Sequence, residues 1–145
     1  MANQTLKLFQ FQSDLKAFAA QVKKDVAQQV VETATELFVK IVARTPVDTG
    51  RARSSWNISV NTPDLQTNPE GSYPRYHEAT DAGIEAELKA RETLVGLKEG
   101  GRLVPIYISN ALDYISELER GTSTQRPVGW VKDTVVEVEN ETRVR

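Results

Sequence analysis

The chain lacks several features on which common protein functions depend. Its 145 residues include no cysteine, which excludes disulfides, thiolate metal ligands and a cysteine nucleophile. No run of about 18 apolar residues is available to cross a membrane as a helix. The opening Met1-Ala2-Asn3-Gln4 has no basic segment followed by an apolar one, as a secretory signal requires. We therefore expect a protein that is made and kept in aqueous solution, without a membrane partner.

The chain also lacks an excess of positive charge. It has 18 basic and 20 acidic residues, a formal net charge of −2, whereas nonspecific nucleic-acid binding usually leaves a strongly basic surface. DNA binding is therefore not favoured, and no sequence-specific nucleic-acid partner is expected. The length suits one domain, which at this size can bury roughly two-thirds of its unfolded surface without disulfides.

The catalytic inventory is small. His77 is the single histidine, and no G-x-S-x-G context accompanies it. The segment His77-Glu78-Ala79-Thr80-Asp81 offers no second histidine for a zinc helix, and the glycines near residue 100 are not followed by the Lys-Ser/Thr of a phosphate loop. We expect no enzyme, no cofactor and no metal. A small hydrolase that uses His77 with Glu78 or Asp81 is the remote alternative.

The segment from Thr45 to Asn61 predicts a corner between a helix and a strand. Thr45-Pro46 disfavours continuation of a helix, which should end near Arg44. Short polar side chains and Gly50 then suit a tight reversal. After it the apolar period becomes two. One strand face carries Trp56, Ile58 and Val60, and the other carries Ser55, Asn57 and Ser59.

A long amphipathic helix is predicted before this corner, with Ser13 or Asp14 as its N-cap. Its apolar positions lie three or four apart: Leu15, Phe18, Val22, Val26, Val30, Ala34, Leu37 and Ile41, with a second row at Ala19, Ala27, Val31, Phe38 and Val42. Thirty residues would span about 45 Å, which exceeds a compact domain of this size. The stripe is either covered by the chain's own core or buried between subunits. Residues 1–12 form an apolar arm that packs on its own core or on a neighbouring subunit.

Residues 62–80 predict a long loop because Pro63, Pro69, Gly71 and Pro74 stand among polar residues. A loop of this length suggests a function or a segment that orders on binding. Within it, Tyr73, Arg75 and Tyr76 could anchor on an adjacent subunit. The alternative is a solvated loop held by its own tyrosines.

The remainder predicts three helices and a strand. Asp81 caps a helix through Ile84, Leu88 and Leu94 to about Lys98, and Gly100-Gly101 stops it. The charged residues Glu85, Glu87, Lys89, Arg91 and Glu92 suit an ordinary solvated surface. A strand is predicted over 102–110, with Pro105 favouring a sheet edge or an interruption of the ladder.

A short helix over 111–120, carrying Leu112, Ile115 and Leu118, ends at Gly121. Pro127 then suits the first turn of a final helix carrying Val128, Val131, Val135 and Val138, with a strand over 135–138 as the alternative. The predicted fold class is α+β: a long N-terminal helix and two or three shorter helices packed on a small, mainly antiparallel β-sheet.

Two blocks of sequence resemble the tail-completion, or head-to-tail joining, proteins of long-tailed bacteriophages. The first is Pro46-Val47-Asp48-Thr49-Gly50-Arg51, followed by Trp56. The second comprises Ile108-Ser109-Asn110, Tyr114, Leu118-Glu119-Arg120-Gly121-Thr122-Ser123 and Gln125-Arg126-Pro127-Val128-Gly129. Together the blocks cover about half the chain, whereas the region from Pro63 to Gly101 matches only in being variable.

The resemblance implies a structural protein of the virion neck, with residues 1–145 forming one tail-completion-like domain. Copies of the chain would form a ring, a hexamer by analogy, that completes the tail and joins it to the DNA-filled head. The implied partners are the head-closure or connector protein and the tail terminator or tail tube protein, with DNA passing through the ring. The location would be the virion, after assembly in the host cytoplasm. A tail terminator that caps the tube is the alternative.

Candidate interface residues come from the arm, the corner, the long loop and the second block. Asp48 would accept backbone N–H groups in the turn, and the arginines after it would pair locally or across an interface. The candidates are Phe9, Phe11, Asp48, Arg51, Arg53, Tyr73, Arg75, Tyr76, Glu119 and Arg126.

Overall fold

One helix, α1 (Ala2–Arg44), occupies the first third of the chain. The computed structural model describes residues 2–144, apart from the side chains of residues 2–6 and 9. The N-cap expected at Ser13 or Asp14 is wrong: the first residues continue the helix, because no proline or glycine interrupts it. The predicted end at Arg44 is confirmed. The Thr45 hydroxyl closes the last turn by donating to the carbonyl of Ile41 at 2.7 Å.

The helix α3 (Ala79–Gly100) packs along the C-terminal half of α1. Its buried residues are Ala82, Ala86, Ala90, Leu94 and Leu97, which meet Phe38, Ile41 and Val42 of α1 in the core. Alanines at spacings of four allow two helix backbones to approach closely. Of the three apolar residues on which this helix was predicted, only Leu94 is buried: the alanine row takes the side that faces α1, and Ile84 and Leu88 are 54% and 60% exposed.

The ends of α3 also differ in part from expectation. Glu78, not Asp81, is the N-cap residue. At the other end Gly101 takes φ 61°, and a Cβ there would lie 3.0 Å from Cγ of Lys24. Glycine is required there for both the left-handed backbone and the close approach to α1. The predicted glycine stop is therefore confirmed.

Two strands, β1 (Asn57–Val60) and β2 (Ile106–Ser109), form an antiparallel sheet. Ile58 faces Ile108 across it, and Val60 faces Ile106. Ile58 is buried, and Ile106 and Ile108 are half-buried. The strand expected over 102–110 is shorter because residues 102–105 stay outside the ladder, apart from the Pro105 carbonyl, which accepts the N–H of Asn61 at 2.9 Å.

Three short helical segments lie between the larger elements. They are α2 (Arg51–Ser54), a 3₁₀ turn at Pro74–Tyr76 and α4 (Ile115–Glu119). Of the range 111–120 that was predicted to be helical, only the second half forms a helix. Leu112, which precedes it, is buried. The α+β fold class is confirmed.

The last helix is α5 (Trp130–Val144), so the strand alternative for 135–138 is wrong. It begins after Gly129, at φ 77°, rather than at Pro127. Its buried residues, Trp130, Thr134 and Val138, lie four apart. Two of the valines expected inward face solvent instead, Val128 and Val135, at 70% and 40% exposed.

Charged side chains fasten α5 to α1. Lys40 contacts Glu137 at 2.9 Å and Glu141 at 2.8 Å, and Arg44 holds both oxygens of Glu137 at 2.6 and 3.0 Å. The bond to Arg44, and then that to Lys40, lowers the pKa of the Glu137 carboxyl to about 2. The bond to Glu141 is the main reason that the pKa of Lys40 is raised. Mutual hydrogen bonding keeps both partners charged.

A candidate assembly interface

The predicted corner is organised by the buried guanidinium of Arg53, which is 7% exposed. Its Nε donates to the carbonyl of Thr45 at 2.8 Å, and one terminal nitrogen donates to the carbonyls of Tyr76 and His77 at 3.0 and 2.7 Å. Burial lowers the pKa of Arg53, and the nearby charge of Arg126 adds to the effect. Arg53 therefore ties the end of α1 to the start of α3.

Trp56 fixes the same corner from the core side. It is 8% exposed, and its indole N–H donates to the Thr45 hydroxyl at 2.8 Å. The predicted burial of Trp56 and Ile58 is confirmed. The opposite face of the strand is also covered at its start, because the Asn57 amide donates to the carbonyl of Gln66 at 2.7 Å.

The second sequence block closes over the first. The Gln125 side chain accepts from the Val47 N–H at 2.8 Å and donates to the Val47 carbonyl at 2.7 Å. Arg126 Nε donates to the carbonyl of Arg44 at 2.8 Å. Asn110 reaches the carbonyl of Ala52 at 2.9 Å. The two blocks, separate in sequence, therefore form one hydrogen-bonded surface.

Glu119 supplies the N-terminal cap of α5. Its carboxylate accepts the backbone N–H groups of Val131 at 2.9 Å and Lys132 at 3.4 Å. A carboxylate is favourable there, because the first N–H groups of a helix lack partners within it. Glu119 thus connects α4 to α5.

The long loop is held down on β1 and α2. Asn68 donates to the carbonyl of Ser54 at 2.7 Å, and Arg51 Nε donates to the carbonyl of Asn68 at 3.0 Å. Tyr73 donates from its hydroxyl to the carbonyl of Pro69. Regular structure between Val60 and Ala79 is limited to the 3₁₀ turn, as the composition predicts. Tyr73 therefore holds part of the loop from within the chain.

The backbone at Gly50 brings the loop back onto the corner. Gly50 has φ 87°, and a Cβ there would lie 2.8 Å from the Tyr73 carbonyl oxygen. The turn's side-chain acceptor is the Thr49 hydroxyl, which receives the N–H of Arg51 at 3.3 Å. Asp48 was expected to accept backbone N–H groups in this turn, but the acceptor is Thr49.

His77 acts as a brace in this arrangement. Its two ring nitrogens face the carbonyl oxygens of Tyr73 and Asp48, at 3.1 and 3.0 Å. Neither contact is with a hydroxyl or a carboxylate, so the geometry offers no charge-relay arrangement for a hydrolase. Within residues 2–144, no group of three or more histidine or acidic side chains is placed to hold a metal ion.

A surface cavity of about 630 Å³ lies where the two blocks meet. Asp48 and Arg51 line it from the first block, and Tyr114 and Gln125 from the second. Glu70 of the loop also lines it and lies 3.6 Å from Arg51. Its lining combines charged side chains with apolar and aromatic ones, a mixture that suits a contact with another protein.

The predicted interface residues fall into two groups. Phe11, Asp48 and Arg75 are exposed, and Arg75 lies 3.5 Å from Glu85 and over the ring of Tyr76. The others bind within the chain, as described for Arg51, Arg53, Tyr73, Glu119 and Arg126. Tyr76 is half-buried, and this burial raises the pKa of its hydroxyl. The side chain of Phe9 lies outside the described residues.

Several residues that build the surface were missed by sequence reasoning. Gln125 and Asn110 lie inside the second block, and their position there was the available signal. Lys89 was assigned to a solvated surface, yet its ammonium donates to the Asn57 side chain at 2.8 Å and the Trp56 carbonyl at 3.2 Å. Burial of this group lowers the pKa of Lys89. Trp130 was overlooked although it is buried.

A second candidate surface lies on the amino-terminal half of α1. Seven large apolar side chains there are 40–68% exposed: Leu8, Phe11, Leu15, Phe18, Val22, Val26 and Val30. We call these residues the α1 stripe. A single soluble copy rarely exposes so long a continuous apolar patch. Among the described residues, none of the helices is long and apolar enough to cross a membrane.

Comparison with known proteins identifies a family that the chain matches. Residues 9–121 match the model of the HK97-gp10-like family, described as "Bacteriophage HK97-gp10, putative tail-component". No curated protein and no solved structure matches the chain. The matched range contains the predicted corner and most of the second block.

Proposed function

Because the chain belongs to the HK97-gp10-like family of bacteriophage tail components, we propose that it is the neck protein that completes the tail and joins it to the DNA-filled head. As a tail component it is a structural part of the virion. In the proposed role it has no catalytic activity and works as a ring of identical copies. Its partners are the head-closure or connector protein on one side and the tail terminator or tail tube protein on the other, with DNA passing through.

The observation that carries the ring is the exposed α1 stripe. Hydrophobic burial contributes roughly 25 cal/mol per Å², so copies that cover the stripe gain stability that one copy lacks. Among the side chains of α1 that the structure describes, Ala27 is the first that is buried. Much of the stripe therefore lies before the part of the helix that the body of the chain covers.

The surface formed by the two hydrogen-bonded sequence blocks, which we call the corner surface, is the proposed contact with other neck proteins. Hydrogen bonds between the two blocks hold it in one conformation, so little conformational entropy is lost when a partner binds. Exposed Asp48 and Arg75 lie on or beside it. The mechanism is geometric, since every subunit of the ring presents one surface toward the head and another toward the tail, repeated around one axis.

The phenotype of a phage that lacks the protein tests this role. If the protein joins head and tail, cells should accumulate DNA-filled heads and finished tails of normal length that remain apart in electron micrographs. Complementation with the intact gene should restore complete particles. Tails of irregular length would instead assign the protein to the end of the tube as a terminator, and complete particles without the protein would overturn both roles.

A further inference from the structure

The α1 stripe projects beyond the rest of the molecule. α3 ends against Lys24, where Gly101 meets it, so the segment from Ala2 to Lys23 extends past that end. At 1.5 Å per residue this segment is about 33 Å long. Leu8, Phe11, Leu15, Phe18 and Val22 follow each other at spacings of three and four, which is the seam that packs against another helix.

The solvent-facing side of α3 offers an apolar surface on which such a helix can pack. Ile84, Leu88 and Val95 form an exposed apolar row there, 50–60% exposed. Val95, at one end of the row, also lines a groove of about 1120 Å³ between α1 and α3. A surface helix normally shows charged residues on this side, so the apolar row calls for a partner.

The charges beside the two surfaces are opposite in sign and equal in spacing. Lys16 and Lys23 lie seven residues apart beside the α1 stripe, and each follows an apolar residue of it. Glu92 and Glu99 also lie seven residues apart, beside Leu88 and Val95 of the row. All four side chains are exposed, and none forms an ion pair within residues 2–144.

The net charges of the two helices are also opposite. α1 contains six basic and four acidic residues, whereas α3 contains five acidic and three basic residues. Two identical stripes would instead bring lysines toward lysines. Opposite charges across an interface favour the pairing and its register, and like charges oppose it.

We infer that the α1 stripe of one copy packs on the outward row of α3 in the next copy, with Lys16 and Lys23 beside Glu92 and Glu99. This inference rests on the proposed ring and names the contact that builds it. The contact joins two different surfaces of the same chain, so it repeats head to tail and yields a ring when the rotation closes.

Disulfide trapping tests the contact directly, because the natural chain has no cysteine. The variant carrying Leu15→Cys and Leu88→Cys should give a ladder of covalent multimers after oxidation, and each single-cysteine variant should stay a monomer in denaturing gels. A covalent dimer from Leu15→Cys alone would show that stripes pair with each other and would overturn the inference. The same gels are run on particles isolated from infected cells.

A charge exchange supplies the second test. Lys16→Glu with Lys23→Glu should abolish rings in mass photometry, as should Glu92→Lys with Glu99→Lys, while the four changes together should restore them. Arg120→Glu with Lys132→Glu is the matched control, since it makes the same change in net charge elsewhere and should leave rings intact. Thermal melting and circular dichroism verify that each variant is folded.

The outcomes separate this contact from the proposed function. Rings that persist in both reversed variants, or a wild-type chain that stays monomeric in solution and in particles, would overturn the contact. Separated heads and tails without the protein would still support the joining role in that case. Conversely, a cross-linked ladder from a protein that is absent from the neck would retain the contact and reject the role.

Discussion

Replacing Arg53 with methionine should destabilise the chain strongly, because three main-chain carbonyls depend on its guanidinium. Methionine has a similar length but no donor. The carbonyl of Thr45 is buried with the side chain that serves it, so water cannot replace the lost bond there. The carbonyls of Tyr76 and His77 lie in exposed or half-buried residues, where water can compensate in part.

The magnitude follows from these three bonds. Hydrogen bonds to a charged group contribute about 1.5–3 kcal/mol each, and one unsatisfied buried acceptor costs about 1–3 kcal/mol. With two of the three carbonyls partly rehydrated, we expect Arg53→Met to cost about 3 kcal/mol of unfolding free energy. For a chain near this length that corresponds to a fall in Tm of about 6–12 °C.

Urea unfolding followed by tryptophan fluorescence is a suitable assay, since Trp56 lies beside the same corner. Arg75→Met is the matched control: that side chain is 68% exposed and its one ion pair, to Glu85 at 3.5 Å, is on the surface, so it should change stability by less than about 0.5 kcal/mol. Equal midpoints for the two variants would refute the structural role assigned to Arg53.

Three further predictions concern the core, the turn at Gly50 and the ion pairs of Lys40 and Arg44 with Glu137 and Glu141, which we call the clamp between α1 and α5. Trp56→Ala should cost about 3–5 kcal/mol in urea unfolding, and an unchanged midpoint would contradict its buried position. Gly50→Ala should cost about 2–4 kcal/mol, because an alanine there adopts a positive φ and meets the Tyr73 carbonyl; Gly71→Ala, where a Cβ meets nothing within 4 Å, is the control and should be nearly neutral. The pKa of Glu137 falls from 4.5 to about 2 on folding, so the unfolded chain binds the proton more readily, and the clamp's contribution is present above about pH 4.5 and lost as pH falls toward 2. The wild-type Tm should therefore fall more steeply over this pH range than that of Glu137→Gln, and parallel curves would count against the clamp.

Local sequence signals predicted the elements that depend on local chemistry. The end of α1 at Thr45-Pro46 and the turn at Gly50 follow from backbone restrictions of proline and glycine. The stop of α3 at Gly101 has the same origin. The alternation around Trp56 and Ile58 identified β1, because a strand with one buried face repeats every two residues.

Helix faces were harder to assign, because residue size and burial do not always agree. In α3 the largest apolar residues, Ile84 and Leu88, suggested the inner face, yet small alanines take it so that the helix can approach α1. In α5 the valines suggested the inner face, yet of these valines only Val138 is buried there, in one row with Trp130 and Thr134. Which side of a helix is covered depends on its neighbour, and a single sequence does not specify that neighbour.

In the candidate site, too, the local patterns were predictable from the sequence, whereas the long-range contacts were not. The two blocks were recognisable as patterns, but the bonds that join them, such as Gln125 to Val47, link positions 78 residues apart. Lys89 was assigned to solvent because its flanking residues are charged, and only the fold brings its ammonium to Asn57. Long-range polar contacts of this kind have no sequence period from which to predict them.

The unbroken course of α1 has a mechanical consequence. From Ala2 to Arg44 the helix contains no proline or glycine, the residues at which helices usually bend sharply. A sideways displacement of the amino-terminal part of α1 therefore tilts the whole helix, because no flexible point lies between that part and Arg44. The tilt displaces Thr45, to which Arg53 and Trp56 are hydrogen-bonded. A force on the amino-terminal part of α1 is therefore transmitted to the corner, some 60 Å away along the helix axis.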